Sequence, residues 1–361
     1  MRTPDNWHTH FRQGAMLRFM TSLFIKYGWR GRVQAMPNTN PAILTGEQAV
    51  AYRKEITKHS KKYPEASEFR PVVSVQITED TTIEMLCSAL NAGIFMFKVY
   101  PRDVTTNSKN GVADYAKIIP LLRYLEGKMV NTGDPQNHRA TVLLHAESPN
   151  LAVEGMYKEE SFIDNELRMI LNETSCPITL EHITTRHAVE FVEGWKKRFD
   201  IVATIAVQYL VMTLDDVIGY SPRSDFKMRP HNMCKPVAKM EKDRCALILA
   251  ATSGNPQFFC GNDDAPHLKG AKECACVCAG TANTIASIPK LCEVFEAEGQ
   301  LPLLENFVSK FGAERYQFPL NTGTIMVGRE EWQVPKEIPI RGMGDVLVPW
   351  LAGETLRFKV L

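Results

Sequence analysis

Short apolar runs alternate with longer amphipathic stretches along most of the chain. Stretches such as "TGEQAVAYRKEITKHSKKY", "TTIEMLCSALNAG", "GVADYAKIIPLLRYLEGKM" and "TRHAVEFVEGWKKRF" have the apolar spacing and charged faces of helices. The runs around them are rich in β-branched and aromatic residues and predict eight strands: "NWHTH", "RVQAMPN", "PVVSVQIT", "IFMFKVY", "ATVLLHAE", "PITLEHIT", "IVATIAVQ" and "PQFFCGND". This alternation predicts β/α units around a parallel sheet.

Eight strands with intervening helices are the count of a (β/α)8 TIM barrel, an α/β fold. No internal repeat, low-complexity segment or Gly/Ser linker marks a boundary, so a single domain over residues 1–361 is the simpler interpretation. The tail "DVLVPWLAGETLRFKVL" mixes β-prone and turn residues. We expect it to form a short C-terminal extension packed on the barrel.

Charge and composition favour a small-molecule partner. The 361 residues include 42 Lys plus Arg and 41 Asp plus Glu, without a long run of either sign. This balance gives no electrostatic reason for binding nucleic acid or an anionic membrane. The N-terminal stretch does not resemble a signal peptide and no window is apolar enough to cross a bilayer, so we expect a soluble, cytoplasmic protein.

Nine scattered cysteines are typical of reduced thiols rather than a disulfide framework. Three of them, Cys274, Cys276 and Cys278, cluster in "KECACVCAG". Alternate spacing could place three sulfurs on one side of an extended segment. Structural zinc sites, however, usually have C-x-x-C pairs and four ligands, so ordinary thiols are the preferred interpretation over a metal site.

Polar residues end several of the predicted strands, where the active sites of such barrels lie. His8 and His10 are two apart on a strand and can share one metal ion. A single histidine at a strand end is more often a hydrogen-bonded structural residue. The full set nevertheless supplies nitrogen and oxygen ligands suited to zinc or a similar divalent ion: His8, His10, Lys98, His145, His182 and Asp263.

Lys98 is an unusual residue for its strand. It follows Ile94, Phe95, Met96 and Phe97 in "GIFMFKVYP", a run typical of a buried strand. An ammonium group buried without a partner costs several kcal/mol, so such a lysine is exposed, paired or chemically altered.

The ordered motifs "HTHFR", "MPN", "FKVYP", "TTNS", "LLHAE", "EHITT", "CKPVAK", "DDAPH" and "PWLAGET" resemble the amidohydrolase superfamily and, within it, the single-domain class II dihydroorotases. The resemblance runs from about residue 5 to the C-terminus. His-x-His alone is a weak signal, whereas these motifs in this order are specific.

The resemblance implies a centre with two Zn2+ per chain, bridged by a carbamylated Lys98 (N6-carboxylysine) and a hydroxide. His8, His10, Lys98 and Asp263 would hold the more buried zinc, and Lys98, His145 and His182 the other. Asp263 would also shuttle the proton. Carbamylation makes physical sense because it converts a cation that repels both metals into an anion with two ligand oxygens.

The resemblance also implies the reaction, the interconversion of N-carbamoyl-L-aspartate and L-dihydroorotate in pyrimidine biosynthesis. Arg12, Asn38 and His267 would bind the substrate carboxylate, since a guanidinium fork suits a carboxylate. Thr105 and Thr106 match two loop threonines that reach the substrate in the family, although an ordinary solvated loop explains them equally well. Family members of this class are usually homodimers.

Some positions depart from the family pattern. Asn262 and Asp264 replace the commoner threonine or serine and serine around Asp263, and Tyr209 stands where histidine is frequent, so we assign Tyr209 no role. Because adjacent strand residues point to opposite sides, we expect Asp264 not to share the role of Asp263.

Two alternative functions remain open from the sequence. The first is another cyclic amidase, acting on hydantoins or dihydropyrimidines, although Arg12 would then lack a carboxylate partner. The second is a catalytically inactive barrel kept as an assembly subunit. Such proteins typically lose metal ligands, whereas all six ligand positions are filled here.

Overall fold

The computed structural model describes residues 1–361. Its strands are β1 (Asn6–Thr9), β2 (Arg32–Ala35), β3 (Arg70–Val73), β4 (Val75–Ile77), β5 (Met96–Val99), β6 (Met129–Val130), β7 (His138–Arg139), β8 (Thr141–His145), β9 (Ile178–Glu181), β10 (Ile201–Ile205), β11 (Phe258–Cys260), β12 (Val327–Gln333), β13 (Ile338–Pro339), β14 (Val346–Leu347) and β15 (Thr355–Val360). Its α-helices are α1 (Gly14–Lys26), α2 (Gly46–Ser60), α3 (Ile83–Asn91), α4 (Ile119–Leu125), α5 (Lys158–Phe162), α6 (Arg168–Glu173), α7 (Arg186–Trp195), α8 (Val207–Val211), α9 (Leu214–Ile218), α10 (Glu241–Thr252), α11 (Lys269–Lys272), α12 (Thr284–Ala297) and α13 (Phe311–Arg315).

Eight parallel strand positions form a closed ring. One sheet has the order β1-β2-β3 and the other β11-β10-β9-β8-β5-β4. Strands β3 and β4 form one barrel position interrupted at Ser74, which joins the two sheets. Thr9 and Asp264 form a parallel bridge that closes the ring. All eight strands predicted from the sequence are present, and the TIM-barrel prediction is confirmed.

The barrel interior explains the apolar character of the strands. Residues from several strands meet inside the ring and form one buried cluster with the segment around α13, including Trp7, Met96, Leu143, Phe311 and Tyr316. The Trp7 and Tyr316 rings lie 4.7 Å apart between centroids. This packing fills the barrel below the level of the polar strand ends.

Helices cover the outside of the barrel, largely where the sequence predicts them. The predicted stretch "TGEQAVAYRKEITKHSKKY" contains α2 and begins with a capping box, in which the side chains of Thr45 and Gln48 each accept a hydrogen bond from the other's backbone N–H. In "GVADYAKIIPLLRYLEGKM" only α4 is α-helical, after a 3₁₀ turn at Tyr115–Ile118. Pro120 lies in the first turn of α4, where its missing N–H costs no hydrogen bond.

The C-terminal extension packs on the barrel as expected. Strands β12 and β15 pair antiparallel, and β15 lies against α12. Leu356 and Phe358 of β15, together with Trp350, are buried in the same apolar core as the barrel helices. None of the helices combines the length and the apolar character that spanning a membrane requires.

The packing at the base of the barrel predicts a stability difference between two glycines. A Cβ on Gly312 would lie 2.0 Å from Trp7 Nε1, whereas a Cβ on Gly194 in α7 would meet no heavy atom within 4 Å. Gly312→Ala should therefore lower the free energy of unfolding by about 1–3 kcal/mol. Gly194→Ala should leave it unchanged or raise it by up to about 1 kcal/mol. Urea unfolding of both variants checks this; equal stability of Gly312→Ala and wild type would contradict the packing.

Candidate metal centre

Three of the predicted ligands meet at the carboxyl ends of the first and last barrel strands. His8 lies in β1, His10 directly follows it, and Asp263 follows β11. Asp263 Oδ1 lies 3.5 Å from His8 Nε2 and 3.3 Å from His10 Nε2. One ligand atom from each of the three residues lies within 4.8 Å of the others, and all three are buried. This grouping is suited to one metal ion.

The other two predicted histidine ligands extend the same cluster. His145 ends β8 and His182 follows β9. The ring centroid of His182 lies 4.7 Å from that of His8 and 4.8 Å from that of His145. The structure thus brings all four predicted histidines together on one rim of the barrel.

Lys98 lies inside the barrel at the same level. Its side chain is fully buried and its Nζ has no hydrogen-bond partner. Burial lowers the pKa of Lys98 well below its usual value, and the nearby Asp263 carboxylate opposes that shift. The site therefore favours the neutral amine over the ammonium. A neutral amine is also the form that reacts with carbon dioxide.

The cluster holds its histidines in the neutral form. Burial lowers the pKa of His8, His145 and His182 well below the usual value, and mutual repulsion among the cationic forms of Lys98 and the histidines lowers it further. A neutral imidazole offers one nitrogen lone pair to a metal. Burial raises the pKa of Asp263, while His182 and Lys98 lower it.

Neighbouring polar groups orient three of the histidine rings. His145 Nε2 lies 2.6 Å from Glu147 Oε2, and His10 Nδ1 lies 2.8 Å from Asn38 Oδ1. The remaining nitrogen of each ring is therefore free to ligate. On His8 it is Nδ1 that meets a carboxylate, Glu181, in close contact. Such partners fix the tautomer and orientation of metal-ligating histidines.

Sequence reasoning missed Glu147, two residues after His145 in "HAE", and Glu181, directly before His182 in "EHI". A signal was present, since acidic residues inside otherwise apolar strand ends need a partner. Both are buried in the structure, and Glu181 Oε2 also lies 3.5 Å from Lys98 Nζ.

The donor set fits a divalent metal. Three buried polar atoms in the cluster have no hydrogen-bond partner: Nε2 of His8, Nδ1 of His182 and Nζ of Lys98. Buried polar atoms are seldom left unpaired in proteins, so a group that accepts their lone pairs would complete the site. Neutral imidazoles and a carboxylate are ligands that zinc accepts.

The backbone at these strand ends is unusual. His182 has a φ of 43°, Asp263 of 48° and Arg12 of 60°. Non-glycine residues seldom occupy this left-handed region, and where they do the conformation costs energy. The three side chains belong to the polar cluster at the barrel rim, where such conformations commonly accompany function.

Arg12 offers a positive charge without a carboxylate partner. Its Nε donates to Pro266 O at 3.1 Å, its Nη2 lies 2.9 Å from His267 Nε2, and no carboxylate forms an ion pair with it. Its carbonyl oxygen accepts a 2.7 Å hydrogen bond from the Tyr52 hydroxyl, which fixes the backbone at this point. The guanidinium is therefore available to an anion beside the metal cluster.

His267 lies beside Arg12 in its neutral form. Burial and then the Arg12 charge lower the pKa of His267 to about 3. Its Nε2 also lies 3.0 Å from the carbonyl oxygen of Ala279. A neutral ring carries a single proton, so Nε2 either accepts from Arg12 or donates to Ala279.

The loop that carries Thr105 and Thr106 contacts the site through Asn38. Asn38 Nδ2 donates to Thr106 O at 3.0 Å, and Asn107 Nδ2 donates to Asn38 O at 3.0 Å. Thr106 Oγ1 reaches Ala279 O at 3.4 Å. Thr105 lines an open polar cavity of about 580 Å³ between this loop and residues 39–42. Asn38 thus joins a candidate metal ligand, His10, to the loop.

Asp264 points away from the metal cluster, as expected from its position beside Asp263. Its carboxylate accepts a hydrogen bond from the hydroxyl of Thr284, the first residue of α12. Burial raises the pKa of Asp264 to about 7 against this hydrogen bond. Asp264 therefore contacts the start of a helix.

Two further departures from the family pattern have structural positions. Asn262 donates its backbone N–H to Asn6 Oδ1 at 3.0 Å, and its carbonyl accepts from Asn283 at 2.8 Å. Tyr209 is buried and its hydroxyl donates to Pro236 O at 2.6 Å. These contacts hold loops around the site together.

The three cysteines of "KECACVCAG" lie at or near the surface. Cys274 and Cys276 are exposed and Cys278 is half-buried. None of the three belongs to a group of side chains close enough to share an ion.

No family model matches the chain. Individual proteins, however, are similar to it over nearly its whole length. The dihydroorotase of Vibrio vulnificus is 37% identical over 359 residues, which cover 99% of this chain and 97% of that protein. The dihydroorotase of Teredinibacter turnerae has the same identity and coverage.

Solved structures agree. Dihydroorotase from Saccharomyces cerevisiae, in complex with 5-fluoroorotic acid, has a TM-score of 0.86 and 28% identity, covering 100% of this chain and 98% of that one. Dihydroorotase from Campylobacter jejuni has a TM-score of 0.82 and 29% identity, covering 100% and 96%. L-hydantoinase from Arthrobacter aurescens, at 14% identity and a TM-score of 0.78 over 100% and 82%, shares the fold alone. With relatives this similar along nearly its whole length, the chain belongs to the dihydroorotase family of the amidohydrolase superfamily.

Proposed function

We propose that the protein is a metal-dependent dihydroorotase that interconverts L-dihydroorotate and N-carbamoyl-L-aspartate in pyrimidine biosynthesis. The observation that carries this proposal is the position of Arg12, a guanidinium without a carboxylate partner beside the histidine cluster. L-Dihydroorotate presents a carboxylate on the same small ring as its reactive amide. A cation and a candidate metal centre side by side suit both groups of that substrate.

The proposed ligands divide between two zinc ions. His8, His10, Lys98 and Asp263 would hold one, and Lys98, His145 and His182 the other. When bound, the ions would supply an acidic water and polarise the amide carbonyl. The neutral form of the four imidazoles and the unpartnered atoms of His8 and His182 support this assignment.

Lys98 would bridge the two ions as a carbamate. In that reaction the neutral amine adds to the carbon of CO2, and the nitrogen loses one proton to leave an anion with two oxygens. The burial of Lys98 and the lowered pKa of its amine support this step. A cationic lysine would instead repel both ions.

Asp263 would move the proton of the reaction. In ring opening its carboxylate accepts a proton from the attacking water and passes it to the amide nitrogen that leaves. Ring closure in the other direction reverses these two transfers. Burial raises the pKa of this carboxyl, which makes it easier to protonate and supports its use as a proton carrier.

The substrate carboxylate would be bound by Arg12, Asn38 and His267, with Thr105 and Thr106 reaching the substrate from their loop. The contact of Asn38 with His10 and the hydrogen bond of Arg12 to Pro266 support this assignment. A hydantoin or dihydropyrimidine without a carboxylate would leave Arg12 unpaired, so the dihydroorotase assignment is favoured over a hydantoinase. An inactive barrel would not need the complete ligand set.

The family resemblance also supports a homodimer that works in the cytoplasm. Both points belong to the proposal, as does a single domain over residues 1–361, which the continuous core supports.

Removal of the Arg12 guanidinium should weaken substrate binding. In Arg12→Ala, KM for L-dihydroorotate should rise roughly 10- to 100-fold, because a charge-assisted hydrogen bond typically contributes about 1.5–3 kcal/mol. Steady-state kinetics of ring opening measure this. Arg18→Ala is the matched control, since Arg18 is an exposed residue of α1. An unchanged KM in Arg12→Ala would remove Arg12 from the substrate site.

Loss of Lys98 should prevent the protein from holding two metal ions. Lys98→Ala removes the only side chain proposed to bridge the two ions, so the purified variant should retain at most one tightly bound zinc per chain. Metal analysis after gel filtration gives the stoichiometry independently of activity. Lys54→Ala, which changes an exposed lysine of α2, should match wild type. Two tightly held zinc ions in Lys98→Ala would contradict the carbamate bridge.

A further inference from the structure

The segment that holds the cysteine cluster contains a buried lysine. Lys272 ends α11 and is 2% exposed. No carboxylate lies within ion-pair distance of its ammonium group, although Lys269 in the same short helix pairs with Glu337 at the surface. A buried lysine without an acidic partner needs another set of hydrogen-bond acceptors.

Backbone carbonyls supply these acceptors. Lys272 Nζ donates to Met233 O, Cys278 O and Gly280 O, each at 2.8 Å. An ammonium group has three donor hydrogens, and all three are used. Met233 O also accepts the backbone N–H of Gly280 at 2.9 Å. Lys272 therefore ties the 278–280 segment to the loop that precedes Lys235.

The residue between two of these acceptors is Ala279. Its carbonyl oxygen lies 3.0 Å from His267 Nε2 and 3.4 Å from Thr106 Oγ1. Since Lys272 binds the carbonyls of Cys278 and Gly280 on either side, it fixes the direction of the Ala279 carbonyl. Two residues proposed to contact the substrate thus meet a backbone oxygen that Lys272 holds in place.

The tight packing of Gly280 fixes the same segment against the loop of His267. A Cβ on Gly280 would lie 2.3 Å from Ala265 O, and Gly280 has a φ of +142°. Ala265 N–H in turn donates to Thr281 O at 2.9 Å. Any displacement of residues 278–280 would therefore be transmitted to residues 265–267.

Lys272 also brings a second positive charge to this side of the site. Burial lowers its pKa to about 8, so most of the amine remains protonated at neutral pH. The Arg12 charge lowers the pKa of Lys272 further, and the charge of Lys272 helps to lower the pKa of His267. Arg12, Lys272 and His267 therefore lie close enough to influence one another electrostatically, and the two cations create a positive potential in this region. That potential favours an anion beside Arg12.

We propose that Lys272 is a positioning residue for the substrate carboxylate: it holds the Ala279 carbonyl against His267 and Thr106 and adds an unpaired buried charge behind Arg12. This inference rests on the proposed function. It extends the carboxylate site beyond Arg12, Asn38 and His267 to a lysine that does not touch the substrate.

The test compares two lysines of one helix. Lys272→Met removes the charge and all three hydrogen bonds, and Lys269→Met removes an exposed charge one turn away. In Lys272→Met, KM for L-dihydroorotate should rise at least tenfold while kcat stays within about threefold of wild type. Lys269→Met should match wild type in both constants. A general structural defect would lower kcat and active fraction instead of shifting KM selectively.

A second variant covers the case in which Lys272→Met does not fold. Lys272→Gln keeps two donor hydrogens without the charge, so its KM should rise by a smaller factor that still exceeds threefold. Circular dichroism and thermal unfolding establish that the variant measured is folded. A KM within twofold of wild type in a folded Lys272→Met or Lys272→Gln protein overturns the proposal.

Equilibrium binding of orotate separates this inference from the proposed function. Orotate carries the carboxylate on a planar pyrimidine ring, and calorimetry measures its affinity without turnover. If wild type binds orotate and Lys272→Met binds it at least tenfold more weakly, the inference holds. If wild type opens L-dihydroorotate, and folded Lys272→Met binds orotate with the same affinity as wild type, the inference alone fails. If zinc-loaded wild type neither binds orotate nor opens L-dihydroorotate, the proposed function fails and the inference with it.

Discussion

The burial of the Lys98 amine without a hydrogen-bond partner is the constraint on which the candidate site depends. A charged ammonium in this position would cost several kcal/mol and would repel any metal held by the surrounding histidines. The site relieves this cost by lowering the pKa of the lysine, and the neighbouring imidazoles are neutral for the same reason. Neutral nitrogen atoms that are buried this closely together without hydrogen-bond partners are suited to metal binding. The metal centre proposed for the protein follows from this property, and the position of Arg12 adds the substrate.

The barrel makes this arrangement possible because it brings distant parts of the chain to one rim. His8 and Asp263 are more than 250 positions apart in sequence, yet their ligand atoms lie 3.5 Å apart, because the bridge between Thr9 and Asp264 closes the ring at that level. Left-handed backbone at His182 and Asp263 accompanies the ends of two strands. Below the level of the polar strand ends, apolar side chains fill the interior of the barrel. The fold therefore supplies both a rigid base and a polar rim.

The sequence could predict the strands and the histidines that meet at the barrel rim because both leave strong local signals. The sequence contains eight apolar runs, several of which end in polar residues, and the motifs around Lys98 and Asp263 indicate the family. Helix limits were less predictable: the stretch before α4 looks helical, yet its first residues form a 3₁₀ turn. Glu147 and Glu181 were missed because a residue's partner across the barrel cannot be read from its neighbours in sequence. Lys272 was missed for the same reason, since its acceptors are backbone oxygens in two separate segments.

The most direct test of the account is the opening of L-dihydroorotate to N-carbamoyl-L-aspartate by the purified protein, before and after removal of metal and after restoration of zinc in bicarbonate buffer. The account predicts turnover that is lost on chelation and regained with about two zinc ions per chain. Full activity in protein shown by metal analysis to be free of zinc and other divalent ions would contradict it, as would an absence of turnover in protein that carries both ions.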